Sequence, residues 1–147
     1  MIIFISVCAW YIGLSFPILF SSSQFIILIP FIKKIYSNVC HQESYKLIAI
    51  GGHQFLVCAR CLGIYTGVLI FSFVSIFIKI IPKHIIKLII ISFILILADI
   101  FFYTTGLYGY SKYIAFGTGL FSGSVTFIYI LNEFENYLLT IISHDEK

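Results

Sequence analysis

The sequence predicts an all-α integral membrane protein: a four-transmembrane-helix bundle with an interfacial or re-entrant segment after the first helix and an amphipathic C-terminal tail. Three observations point there. Of 147 residues, 61% are hydrophobic and only 10% carry charge. Mean hydropathy is strongly positive, so too few polar residues exist to cover a soluble exterior. The apolar runs are also continuous over about seventeen or more residues, where a barrel strand would alternate over about ten, and a helix satisfies its own backbone polar groups in lipid. The whole chain, residues 1–147, therefore reads as one polytopic membrane domain in the cell membrane, with the lipid bilayer as its main partner.

The first span runs from Ile2 to Phe20. It lacks the basic n-region of a signal peptide and exceeds a usual h-region, so it is read as retained, although Ser21 to Ser23 are small enough to flank a cleavage site. Phe25 to Ile32 is too short to cross, contains Pro30 and leads into Lys33 and Lys34, which suits an interfacial or re-entrant segment. Residues 36–61 form the most polar stretch and are read as the loop that supplies any chemistry. The second span is Leu62 to Ile78, followed by a basic turn of Lys79, Pro82, Lys83, His84 and Lys87. The third is Leu88 to Tyr103 and the fourth Tyr113 to Leu131. Beyond it, Phe134, Tyr137, Leu138, Ile141 and Ile142 recur at helical spacing opposite Glu133, Glu135 and Asn136, predicting a surface-lying or extended amphipathic helix. Gly63 with Gly67, and Gly119 with Gly123, would let backbones approach closely, either within the bundle or in an oligomer.

The net charge of +3 is scattered over short lysine clusters without a basic face, which excludes nucleic-acid binding and suits headgroup anchoring. The cysteine face would hold Lys33, Lys34, Lys46, Arg60 and Lys112, against Lys79, Lys83 and Lys87 opposite, a balance that leans the cysteine loop toward the cytoplasm.

Three of four cysteines fall in the polar loop: Cys40 before His41, then Cys58 and Cys61 in the sequence CARC. Cys8 stands apart in the first span, where buried cysteine behaves as a small apolar residue. Cysteines three apart at a helix start project toward one side, which suits either a shared ion or a disulfide. For a metal, Cys40, Cys58 and Cys61 with His41 or His53 make a Cys3His set of the kind zinc, or another thiophilic transition metal, prefers. For redox chemistry, Cys58 and Cys61 would cycle between dithiol and disulfide, Arg60 would favour the thiolate and Cys40 would resolve. A third reading is a non-enzymatic scaffold or transport component stapled by the metal. His84 reads as a headgroup anchor and His144 as part of the charged tail.

Asp99 is the sole acidic residue inside a predicted span, where a charge usually pairs or lines a wet cavity. The second and third spans run antiparallel, so Asp99 would lie near the face that carries Cys61, within reach of Arg60, Gln54 or the metal's surroundings. Asp99 and Arg60 are therefore the candidate catalytic residues, with Gln42 beside them around the metal. Any small-molecule or lipid substrate stays unassigned.

The set Cys40-His41-Gln42, Lys46, Cys58-Ala59-Arg60-Cys61-Leu62-Gly63-Ile64-Tyr65 with Gly67, Asp99, Thr118-Gly119 and Gly123 resembles the uncharacterised membrane-protein family DUF2085. The resemblance covers Cys40 to Gly123 and implies which residues matter without implying a reaction. Two positions depart from the pattern it leads one to expect: Lys46 stands in place of an arginine, and an arginine before the late TG is replaced by Ile114, Ala115 and Phe116.

Overall fold

The computed structural model describes residues 2–19, 27–78 and 84–145. Residues 20–26, which include Ser21 to Ser23 and the start of the expected interfacial segment, and the basic turn at Lys79, Pro82 and Lys83 lie outside them. In order, the elements are α1 (Ile2–Leu14), α2 (Phe16–Leu19), α3 (Leu28–Ser37), β1 (Leu47–Ile50), β2 (His53–Cys58), α4 (Ala59–Phe77), α5 (Ile85–Thr104) and α6 (Lys112–Asp145).

Among the described residues three helices, not four, are long and apolar enough to cross a membrane: Ala59–Phe77, Ile85–Thr104 and Lys112–Tyr137. The expected first span is shorter. α1 has 13 residues, about 20 Å at 1.5 Å per residue against a core of roughly 30 Å. It breaks at Ser15 because Pro17 can neither donate to Gly13 nor avoid its carbonyl. α1 still packs antiparallel beside α4, with Phe4 on Phe73 (ring centroids 5.7 Å apart) and the Tyr11 and Thr66 hydroxyls 3.2 Å apart. α6 continues unbroken through the expected amphipathic tail for 34 residues, about 51 Å of helix.

α4 and α6 run parallel, and their glycines meet. A Cβ on Gly63 would strike the Phe116 carbonyl, one on Gly67 the Leu120 carbonyl, one on Gly119 the Arg60 carbonyl and one on Gly123 the Ile64 carbonyl. Both small-residue pairs thus serve one crossing inside the chain, where absent side chains let dispersion act between backbones.

The polar stretch is not simply a loop. β1 and β2 form an antiparallel hairpin in which Ile50 pairs with His53 around Gly51 and Gly52, at φ +60° and +84°. Two positive φ values in a two-residue turn match strand twist, and glycine adopts them without a Cβ clash. Phe55, Leu56 and Val57 are all buried, because β2 is covered on both faces. With Leu14, Tyr36, Cys40 and Leu62 they form the main apolar core, against which Cys58 and Cys61 pack, while the helix shafts keep large apolar side chains exposed. That inversion fits helices solvated by lipid.

Candidate metal centre

β2 ends at Cys58, which is also the N-cap residue before α4, and Cys61 falls in the first helical turn. Strand and helix therefore meet where the two sulfurs project together. Cys40 arrives from the other side: the chain leaving α3 is held by the Cys40 N–H donating to the Tyr36 carbonyl at 3.1 Å. Gln42 then turns the backbone at φ +50°, and its Nε2 donates to the Lys33 carbonyl at 3.1 Å.

The outcome is a cluster in which the Sγ atoms of Cys40, Cys58 and Cys61 all lie within 4.8 Å of one another, with Cys40 buried and the other two half-buried. The Cys58 amide N–H donates to the Cys40 Sγ at 3.2 Å. Thiols of Cys58 and Cys61 also donate to Cys40, which outweighs its burial and holds its pKa well below the ordinary thiol value. Cys58 moves the opposite way, raised chiefly because its proton serves Cys40. The cluster thus favours one thiolate supported by two thiols. Tetrahedral zinc with bonds of about 2.3 Å sets S···S edges of roughly 3.8 Å, so the three sulfurs fit such an ion with small adjustment.

His41 is exposed and lines a cleft of about 360 Å³ together with Cys40, Cys58, Cys61, Arg60, Lys46 and Tyr110. His53 is exposed at the hairpin turn and lines a different cleft with Lys33 and Gln54. Neither imidazole belongs to the three-sulfur group among the described residues.

Asp99 and Arg60 do meet. Arg60 Nη2 pairs with Asp99 Oδ2, the Asp99 side chain being 3% exposed and that of Arg60 22%. The Tyr108 hydroxyl donates to Asp99 Oδ1, so both carboxylate oxygens are engaged. Among the described residues Arg60 Nε is buried without a hydrogen-bond partner. Gln54 pairs with Ala49 in the hairpin and is exposed. Lys112, on the cysteine face, donates from Nζ to the Leu47 carbonyl at 2.6 Å and pins the hairpin to the start of α6. Sequence reasoning missed Tyr108 and the aromatic wall at Tyr110. Gly106, at φ +73°, reverses the chain after α5 and was the one available sign that Tyr108 returns to Asp99.

Comparison with known proteins follows the same residues. An uncharacterised protein of Methanocaldococcus jannaschii is 51% identical over 45 residues, which are 31% of this chain and 29% of that protein, so the chain covers under a third of the length of that relative. No solved structure matches the chain. Residues 40–129, from the first cluster cysteine to the middle of α6, match the family described as predicted membrane protein (DUF2085), and the chain belongs to that family.

Proposed function

We infer that this membrane protein binds zinc, or another thiophilic transition metal, through Cys40, Cys58 and Cys61. The observation that carries the reading is the convergence of three sulfurs within 4.8 Å from two separate stretches: the loop after α3, which brings Cys40, and the junction of β2 with α4, which brings Cys58 and Cys61. His41, next to Cys40 and on the same cleft, is the candidate fourth ligand, with His53 as the alternative. A fourth protein ligand closes the site as a structural staple, whereas three leave a position for water or substrate. When bound, such an ion acts as a Lewis acid or lowers the pKa of a coordinated water. Arg60, fixed by Asp99, faces the same cleft and would act on whatever enters it, with Gln42 supporting the loop.

The position of Cys58 and Cys61 at a helix N-terminus, beside a thiol held low, favours one second reading: dithiol–disulfide exchange, with Cys40 resolving. Metal analysis and thiol counting on detergent-purified protein separate the two. About one zinc per chain, lost in Cys58→Ser, supports metal binding. Absence of metal together with a reducible Cys58–Cys61 bond overturns it in favour of exchange.

A further inference from the structure

Lys46 is the charged group of the cysteine loop that metal binding leaves unused. Its Nζ lies 5.2, 5.3 and 5.7 Å from the ring centroids of Tyr45, Tyr103 and Tyr110, each inside the roughly 6 Å over which a ring face attracts an ammonium. Glu43 Oε2 closes the fourth side at 2.6 Å. The rings brace one another: Tyr103 meets Tyr110 edge-on at 5.5 Å, Tyr45 meets Tyr110 at 6.1 Å, and the Tyr45 and Tyr103 hydroxyls are 2.8 Å apart.

These groups come from different parts of the chain. Glu43, Tyr45 and Lys46 belong to the loop that carries Cys40, Tyr103 to the last turn of α5, and Tyr110 to the connection before α6. On its near side Cys40 is tethered to α3 through the Tyr36 carbonyl. We propose that Lys46 is a positioning residue: caged by the three tyrosines and Glu43, it clasps the far side of the loop to α5 and so presents Cys40 to Cys58 and Cys61. The consequence for a metal rests on the function inferred above, but the clasp itself does not need one. The cage sits where aromatic rings and long cationic stems are both favoured, at the edge of the lipid, and with the Lys46 side chain only 26% exposed its ammonium exchanges part of its water for ring faces.

The test is alkylation of the full-length, metal-free protein in detergent, read separately at each cysteine by mass spectrometry. It is run at a pH above the ordinary thiol value, where Cys40 is thiolate whether held or released and its rate reads access. Lys46→Met and Tyr103→Leu are expected to raise the Cys40 rate about tenfold, the scale of losing several partly desolvated ammonium–ring contacts. Lys46→Arg and Tyr103→Phe, which keep cation and ring, stay near wild type, and Cys8 in α1 reports an intact bundle by not changing. An unchanged Cys40 rate in Lys46→Met overturns the clasp, and so does a parallel rise at Cys8, which would mean general loosening. If wild type takes up metal, Lys46→Met binds it about 10–100-fold more weakly in chelator competition, the range for groups that orient a ligand, and equal affinity overturns the clasp. If wild type takes up none, the metal reading fails alone and the alkylation pattern still decides.

Discussion

Replacing Gly123 with alanine tests how the two parallel helices are held. An added Cβ would lie 2.8 Å from both the carbonyl carbon and the Cα of Ile64, whereas carbon atoms rest at about 3.5–4.0 Å. α4 and α6 must then separate locally by about 0.7 Å or more, and because the obstacle is backbone, no rotamer change relieves it. Overpacking of this kind costs about 1–3 kcal/mol. Gly117 supplies the control: it lies on the same helix with nothing within 4 Å of its added Cβ, so alanine there gains about 0.5–1 kcal/mol of helix propensity. Thermal unfolding in detergent, followed by loss of helical circular dichroism, should rank Gly117→Ala at or above wild type and Gly123→Ala clearly below. Gly63→Ala should fall with Gly123→Ala. The double variant should cost less than the sum, since one separation relieves both contacts. Equal stability of the Gly117 and Gly123 variants would refute the backbone-contact account. Because Gly119 rests against the Arg60 carbonyl in the same seam, Gly123→Ala should also weaken any ligand held by the first turn of α4.

Asp99→Asn leaves the Arg60 guanidinium without its counter-charge. Breaking a buried pair costs about 3–5 kcal/mol, and with Arg60 22% exposed about 2 kcal/mol is expected in the same melt after allowing for solvent screening. The low pKa of Cys40 predicts that ultraviolet thiolate absorbance of metal-free protein survives acidification well below the ordinary thiol value of 9.0 and disappears in Cys40→Ser. Its stabilisation is fully present above that unfolded-state value and is lost as pH falls through the depressed folded one, so this contribution weakens on acidification. Gly52→Ala, at φ +84°, should cost about 1–2 kcal/mol through left-handed strain alone and be visible as faster exchange of the β1–β2 amides.

The membrane helices were legible because lipid imposes a simple rule: continuous apolar runs located α4, α5 and α6 to within a few residues at their starts. The same rule misjudged the first run, where Pro17 divides a stretch whose hydropathy shows no break. The hairpin was also written in the chain, as LIAI and HQFLVC on either side of Gly51-Gly52, but its polarity drew the eye to chemistry before turn geometry. The approach of Arg60 to Asp99 followed from antiparallel neighbours and distance along a helix. The tyrosines around Lys46 did not follow from anything local, and Tyr108 on Asp99 was signalled only by Gly106, since both depend on how the connection after α5 folds back.

Among the described residues the candidate crossings number three, which is odd. Across a bilayer spanned by α4, α5 and α6 alone, the thiol cluster and the far end of α6 cannot share a compartment. If the sulfurs meet the reducing cytosol, the acidic stretch around Glu133 and Glu135 projects away from it. A reporter joined beyond α6 would therefore identify the compartment opposite the cysteines, and so assign theirs by exclusion, without altering any of them.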